Sequence, residues 1–266
     1  MNNELNMLFD LAYGHITAKA IHIATDLKLH KILYDRSSIS IPSLAKRLKF
    51  HPAGLKKLLK ILDAHRIIFI DHNQMIKPTK ITPLLEYIDS PHILLSYKTI
   101  NCFKTTCQTN NETFSEAYGE KFYSYIKNRK LVNEFKVWCT KTAEIWLPSI
   151  LDLYDFSNVK HIVDLGSGEG YLTSMILEKH RTLKATLIDK PEILNNAKSV
   201  LNRYSVKSRT HLYSGNFFDA NTLPKNKDTY VLCRTLLNWS NADACTIINV
   251  CNEIMGSKSK LLIIDF

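Results

Sequence analysis

The sequence predicts an α/β protein in which a mostly helical N-terminal domain precedes a parallel sheet with helices on both faces. Two observations carry this prediction: apolar residues at helical spacing over the first third of the chain, and alternating strand and helix patterns from His161 onward. At 266 residues the chain is long enough for two domains of ordinary size. We place an N-terminal domain at 1–90, linking helices at 91–155 and the sheet domain at 156–266.

The N-terminal pattern has the outline of a winged helix. Apolar residues recur at helical spacing over 5–27, and Ser40 is placed to cap a second helical stretch. A further helix starts at Pro52 after a brief turn. The runs 67–70 and 75–76 flank a polar turn and predict a small hairpin.

A winged helix can read DNA or serve packing and dimerisation. The helix at Pro52 offers Lys56, Lys57 and Lys60 but few of the Asn, Gln and Arg side chains that read base edges. The net charge of +10 is spread along the chain, so it favours nucleic acid only slightly. The apolar pattern over 5–27 needs a partner surface larger than one small domain provides. We therefore expect a homodimer through the N-terminal helices, and DNA binding that is at most weak and without sequence preference.

The composition and the residue spacing exclude several other classes of protein. The first ten residues carry two acids and no basic residue, so they lack the charged start of a secretory signal. The apolar runs, such as 261–264, are too short to span a bilayer. The six cysteines form no C-x-x-C pair and have no His cluster at zinc-ligand spacing. We expect a cytoplasmic protein with reduced thiols, no bound metal and no membrane partner.

The second half alternates between strands and helices, which predicts a parallel sheet. The predicted strands are 161–165, 185–188, 210–213, 229–233 and 261–264, and the predicted helices include 191–204 and 242–255.

The strongest local signal is a glycine-rich turn directly after the first of these strands. Gly166, Gly168 and Gly170 give G-x-G-x-G, whereas the dinucleotide fingerprint is G-x-G-x-x-G. Glycines there let the backbone turn sharply and approach a ligand closely. The P-loop lysine is also missing. The spacing therefore suits a nucleoside ligand without phosphate better than NAD or ATP, with Gly166 and Gly168 as binding positions.

Two further motifs end neighbouring strands. Asp189 follows the second strand, where a carboxylate can accept hydrogen bonds from both ribose hydroxyls; the alternative is a helix cap before Pro191. Asn216 and Phe217 follow the third strand, where an amide and an aromatic face could bind an adenine; the alternative is a turn with core aromatics. Because the carboxyl ends of parallel strands share one edge of the sheet, these residues define a candidate crevice.

With these motifs in order, the chain resembles the O-methyltransferases that include the caffeic acid and hydroxyindole enzymes and many bacterial antibiotic-pathway enzymes. The resemblance covers nearly the whole chain: 41–70 resembles the family's winged-helix core, 113–146 its linking helices, 163–170 its glycine motif, 189–191 its Asp-Leu-Pro, 215–218 its Gly-Asp-Phe-Phe and 236–240 its Leu-His-Asp-Trp-Ser. It implies a Rossmann-like domain that binds S-adenosylmethionine, an intertwined dimer and a small-molecule acceptor.

The chain departs from the family's pattern at the position of the general base. Leu237 stands where the family has His, and Asn238 stands where it has Asp, so we assign no catalytic residue. His211 belongs to a different predicted strand. A phenol loses its proton far more readily with a nearby base. The first hypothesis is a methyltransferase whose acceptor needs no His base; the alternatives are a catalytically silent, cofactor-binding homologue and a DNA-binding regulator.

The resemblance also implies two further strands after Phe266, which in the family contribute acidic residues and much of the acceptor pocket. We therefore expect the sheet to be incomplete at this end. On this reasoning methyl transfer to phenols should be very slow or absent, and Leu237→His alone should not restore it.

Overall fold

The computed structural model describes residues 3–265, and the chain divides into two compact units, Met1–Lys141 and Thr142–Phe266. The division falls inside a long helix, and the three-part division made from the sequence stays a prediction. The first unit contains α1 (Asn3–Asp26), α2 (Leu29–Tyr34), β1 (Ile39–Ser40), α3 (Ile41–Leu48), α4 (Pro52–Ala64), β2 (Ile68–Ile70), β3 (Met75–Pro78), α5 (Pro91–Thr99), α6 (Phe103–Thr109), α7 (Thr113–Tyr118), α8 (Phe122–Asn128) and the start of α9 (Val132–Leu151).

The predicted hairpin is confirmed: β2 pairs antiparallel with β3, and β1 pairs with the other edge of β3. Its turn closes because Oδ1 of Asp71 accepts hydrogen bonds from the amides of Asn73 and Met75, each at 3.0 Å. The predicted cap is also confirmed, since Oγ of Ser40 accepts from the amide of Ser43 at 3.3 Å. The side chain of Ser40 thus fixes the start of α3, and the side chain of Asp71 fixes the turn of the hairpin.

One core cluster fills the first unit around α3, α4 and the small sheet. Leu44, Leu59 and Leu62 are completely buried in it. By contrast, α1 buries only Ala20, Ala24 and Thr25 and exposes a series of large apolar side chains: Leu5, Met7, Leu8, Phe9, Leu11, Tyr13 and Ile16. Within residues 3–265, no helix has both the length and the apolar character needed to cross a membrane.

The second unit is an α/β domain, which confirms the predicted fold class. Its strands are β4 (His161–Leu165), β5 (Lys184–Asp189), β6 (Thr210–Ser214), β7 (Thr229–Cys233) and β8 (Lys260–Ile264), and its helices are α10 (Tyr171–Lys179), α11 (Pro191–Arg203) and α12 (Asn241–Ile254). The five strands are parallel in the order β6-β5-β4-β7-β8.

This strand order positions a ligand crevice. The chain runs from β4 outward to β6 on one side and then returns to place β7 on the other side of β4. In open α/β sheets a crevice forms at the carboxyl ends of the strands where the direction of winding reverses. Separate core clusters cover the two faces of the sheet, one containing Leu187 and Ile176 and the other Tyr230 and Ile247. The loops after β4 and β7 therefore stand on a rigid, buried scaffold.

Candidate functional site

The glycine loop joins β4 to α10 and has a left-handed backbone at all three glycines. The φ angles of Gly166, Gly168 and Gly170 are 74°, 57° and 77°. A β-carbon on Gly170 would lie 2.6 Å from Cδ1 of Leu187, so this glycine lets the loop pack against β5. A β-carbon on Gly168 would meet no heavy atom within 4 Å. Gly168 therefore borders open space, as a backbone that admits a ligand must.

Gly166 is packed beside two side chains from other strand ends. A β-carbon there would lie 3.0 Å from Oγ1 of Thr235 and 3.4 Å from Cε1 of Phe217. Thr235 is held in turn, because its hydroxyl donates to the carbonyl of Leu165 at 3.2 Å. The structure thus brings together Gly166 and Phe217, two residues that the sequence placed in one site.

Asp189 is joined directly to the glycine loop. Its Oδ2 accepts a hydrogen bond from the amide of Gly168 at 2.8 Å, and its Oδ1 accepts from the amide of Lys190 at 2.8 Å. Burial raises the pKa of Asp189, and these two hydrogen bonds oppose the rise. The N-cap residue of α11 is Lys190, and it has no side-chain cap. Asp189 therefore does not cap that helix.

Asn216 and Phe217 have different surroundings. Oδ1 of Asn216 accepts from the amide of Phe218 at 3.1 Å, so its amide oxygen closes a local turn, as the alternative interpretation expected. The ring of Phe217 instead lies edge-on to Trp239, with centroids 5.8 Å apart, and Trp239 also packs on Phe218 at 4.7 Å. An aromatic cluster thus borders the glycine loop, while Asn216 shapes the turn that holds it.

Sequence reasoning missed Asp164, the residue two positions before the loop. Its side chain is 2% exposed, and the hydroxyl of Thr173 donates to its Oδ2 at 2.6 Å. Burial raises the pKa of Asp164 to about 7; the bond from Thr173 opposes this rise, and the charge of Asp189 adds to it. The available signal was an acid inside the otherwise apolar run 162–165 of β4.

The position of the family's base contains no titratable group. Leu237 lies in a 3-10 helix, Leu236–Asn238, with its side chain 52% exposed. Its amide donates to Oδ2 of Asp265 at 3.1 Å, and Nδ2 of Asn238 donates to the carbonyl of Arg234 at 2.9 Å. His211 is exposed on the edge strand β6 and is not brought to the glycine loop. The structure therefore supplies no imidazole at residue 237.

These features fit S-adenosylmethionine, the cofactor that the resemblance implies. The open space at Gly168 admits a ligand against the backbone, and a carboxylate and an aromatic cluster flank it. Oγ of Ser167, inside the loop, is buried and has no hydrogen-bond partner among the described residues. The acids Asp164 and Asp189 suit a cation better than a polyphosphate. Across residues 3–265 no group of three or more His, Cys, Asp or Glu side chains is placed to hold a metal ion.

Comparisons with known proteins find relatives along nearly the whole chain. The mitomycin biosynthesis 6-O-methyltransferase of Streptomyces lavendulae is 24% identical over 272 residues, which cover 96% of this chain and 76% of that protein. The aclacinomycin 10-hydroxylase RdmB of Streptomyces purpurascens is also 24% identical, over 99% of this chain and 73% of its own length.

Solved structures share the fold. The mitomycin 7-O-methyltransferase MmcR superimposes with a TM-score of 0.84 at 22% identity, covering 98% of this chain and 80% of the other. Human N-acetylserotonin methyltransferase, solved in complex with S-adenosylmethionine, has a TM-score of 0.81 at 18% identity and covers 99% of this chain and 80% of its own.

The match to a family model shows to which protein family the chain belongs. Residues 103–266, more than half of the chain, match the model of the O-methyltransferase domain. The match includes the glycine loop, Asp189 and the segment around Leu237. It confirms the resemblance found in the sequence, including the dependence on S-adenosylmethionine that the resemblance implied for the family. The chain belongs to the O-methyltransferase domain family.

Proposed function

We propose that this chain binds S-adenosylmethionine in the crevice formed by the loop 166–170 and Asp189, and that it acts on a small-molecule acceptor without a general base at residue 237. The observation that carries the proposal is the 2.8 Å hydrogen bond from the amide of Gly168 to Oδ2 of Asp189. It joins the two parts of the site that the sequence indicated separately, and it aims a carboxylate at the space beside Gly168.

The residues of the crevice have distinct tasks. Asp189 accepts hydrogen bonds from the ribose hydroxyls, which an ionised carboxylate does strongly. Phe217, supported by Trp239, offers an apolar surface to the adenine. Gly168 lets the backbone approach the ligand without a side chain in the way. When bound, the cofactor supplies a methyl group activated by its sulfonium, so the protein's remaining task is to position the acceptor.

Leu237 favours acceptors whose reacting atom carries no proton to be removed. Aromatic nitrogens and groups that are already ionised near neutral pH meet this condition, whereas ordinary phenols do not. One relative is named for its role in mitomycin biosynthesis and another for a reaction on aclacinomycin, which supports a small-molecule acceptor for this chain as well.

A second candidate is a protein that binds the cofactor and transfers no methyl group. Two observations favour it. Leu237 stands in place of the family's His, and one relative, which is as similar to this chain as the mitomycin enzyme is, is named a hydroxylase. Fold alone does not fix the reaction, because function resides in the site. Both candidates require cofactor binding, and they differ in whether any acceptor receives the methyl group.

Isothermal titration calorimetry with S-adenosylmethionine and S-adenosylhomocysteine tests cofactor binding, which both candidate functions require. Asp189→Ala removes charge-assisted hydrogen bonds and should weaken binding by about 1.5–3 kcal/mol, roughly ten- to hundredfold. Asp152→Ala is the matched control, because it removes one acid of the same unit whose side chain is exposed and forms a surface ion pair with Lys179. The control should bind like the wild type. If the wild type takes up neither ligand, the proposal is wrong.

We propose further that the chain forms homodimers through α1 and that it acts in the cytoplasm. The exposed apolar side chains of α1 support the dimer, because a series of this length in water favours association. DNA reading is the weaker assignment for the N-terminal unit, since α4 presents lysines without a set of base-reading side chains.

A further inference from the structure

Asp164 is a buried acid that the proposed ligand contacts do not use. It lies in the central strand β4, two residues before Gly166, and its side chain is 2% exposed. A carboxylate taken out of water needs compensation from hydrogen bonds or positive charge. The hydroxyl of Thr173 gives it one hydrogen bond, at 2.6 Å.

The groups that face Asp164 provide no positive charge among the residues described. From α10 it receives the neutral hydroxyl of Thr173, from β5 the negative charge of Asp189, and from β7 the thiol of Cys233. Burial, with the charge of Asp164 as the second cause, raises the pKa of that thiol to about 12, so Cys233 stays neutral. The charge of Arg234 lowers the pKa of Cys233 and so partly opposes this rise.

The surroundings therefore hold the pKa of Asp164 close to neutral, at about 7. A small change in nearby charge is then enough to change its protonation state. Charges in a water-poor interior also act over longer distances than charges at the surface. A cation placed in the adjacent crevice would supply the positive charge that the surrounding residues lack.

The proposed ligand and its product differ in this charge. S-adenosylmethionine carries a sulfonium in addition to its ammonium and carboxylate, whereas S-adenosylhomocysteine has a neutral thioether. On the basis of the proposed function, we propose that the protonation state of Asp164 depends on this difference in charge. Asp164 holds a proton in the free protein and releases it to solvent when the sulfonium ligand binds. The O–H bond of the carboxyl breaks, the proton passes to water, and the resulting carboxylate attracts the cation. The neutral product lacks this attraction and leaves more readily.

Titration calorimetry in two buffers of different ionisation enthalpy measures the protons released on binding. With the wild type we expect net release near pH 7, and an affinity for S-adenosylmethionine about tenfold higher at pH 8 than at pH 6, because one proton of pKa about 7 is linked to binding. S-adenosylhomocysteine should show a smaller change over the same range.

Two variants identify the group. Asp164→Asn keeps an oxygen that can accept from Thr173 but cannot ionise, so only the ligand's own ammonium should contribute protons and the selectivity for the cationic ligand should fall. Thr173→Val removes the hydrogen bond that stabilises the carboxylate, so the midpoint of the pH dependence should move to higher pH. Infrared difference spectra of the wild type provide a readout without substitution, because the carbonyl stretch of a protonated carboxyl should disappear on binding S-adenosylmethionine.

The outcomes separate the two proposals. If neither ligand binds the wild type, the proposed function fails. If S-adenosylmethionine binds but the proton release is the same in the wild type and Asp164→Asn, the proposed function stands and the inference about Asp164 is overturned. If the asparagine variant does not fold, an unchanged carboxyl band in the wild type overturns the inference equally.

Discussion

The amide of Gly168 donates a hydrogen bond to Oδ2 of Asp189 across 2.8 Å, although the two residues are 21 positions apart. The bond fixes the acid at the end of β5 relative to the loop after β4, so both are oriented before a ligand arrives. A preorganised site loses less conformational entropy on binding than a site that must order its groups.

Gly166→Ala should act mainly on stability, and Gly168→Ala should act mainly on ligand binding. At Gly166 the added methyl would press on Thr235 and Phe217, so we expect the free energy of unfolding to fall by about 1–3 kcal/mol in addition to the cost of its left-handed backbone. At Gly168 nothing lies within 4 Å, so only the left-handed backbone costs stability, about 1–2 kcal/mol, while the methyl enters the proposed ligand space. Urea unfolding and ligand titration measure the two effects. Tight binding by a stable Gly168→Ala protein would place the ligand elsewhere.

Asp164→Asn should stabilise the free protein at alkaline pH. Burial raises the pKa of Asp164 from 3.8 to about 7 in the folded state, so folding favours the protonated form. Between these pKa values the folded state binds more protons than the unfolded state, and stability therefore falls as the pH rises from about 4 to about 7. The asparagine variant lacks this loss. Thermal unfolding at pH 5 and pH 8 should show a gain in melting temperature for the variant that is larger at pH 8 than at pH 5.

Lowering the pH should destabilise the N-terminal unit, because the buried His30 resists protonation. Its side chain is 7% exposed, and neither ring nitrogen has a hydrogen-bond partner among the described residues. Burial lowers the pKa of His30 below 6.5, and the charges of Lys31 and Lys28 add to this while Asp89 and Glu86 oppose it. The unfolded state then binds more protons just below pH 6.5, so stability is complete above that pH and is lost as the pH falls.

The measurement for His30 is urea unfolding between pH 5 and pH 7.5. One linked proton contributes a slope of at most about 1.4 kcal/mol per pH unit. His30→Leu should reduce the slope, whereas His72→Leu, on the exposed hairpin turn, is a control that should not. Because His22 and His161 also have lowered pKa values, some slope remains in the variant. An identical slope in His30→Leu and the wild type would contradict the assignment.

The homodimer prediction concerns the exposed face of α1. Leu8 and Leu11 are 60% and 70% exposed in the single chain, so two lysines in their place should keep the helix but oppose association. Light scattering at micromolar concentration should give a dimer for the wild type and a monomer for the double variant. Leu153→Lys, at an 84% exposed position of the second unit, is the control and should remain dimeric. A monomeric wild type would exclude the dimer.

Phenolic acceptors should react slowly and only as phenolates. General bases typically contribute about 10²–10⁴-fold in rate, and Leu237 cannot act as one. The rate with a phenol should therefore rise about tenfold per pH unit until the acceptor itself ionises. An aromatic nitrogen acceptor of similar shape should show no such rise. Transfer of a labelled methyl group to both acceptors tests this, and fast, pH-independent transfer to the phenol would reveal a base elsewhere in the protein.

The sequence by itself determined the local elements and the candidate ligand motifs. The left-handed glycines after β4, the acid ending β5 and the aromatic pair after β6 follow from residue types and spacing, because backbone conformation and strand alternation are encoded locally. The hairpin turn at Asp71 was predictable for the same reason. Family membership followed from the order of these motifs, and the replacement at Leu237 was visible without coordinates.

Only the tertiary structure decided which of these residues act on one another. The strand order β6-β5-β4-β7-β8 places Thr235 against Gly166 and joins Asp189 to Gly168, whereas Asn216 is used by its own turn. The near-neutral pKa of Asp164 depends on helices and strands that exclude water from it. Such effects arise from packing between residues that are distant in the chain. Residue spacing indicates which positions are apolar, but it does not show which distant side chains and charges each residue meets after folding.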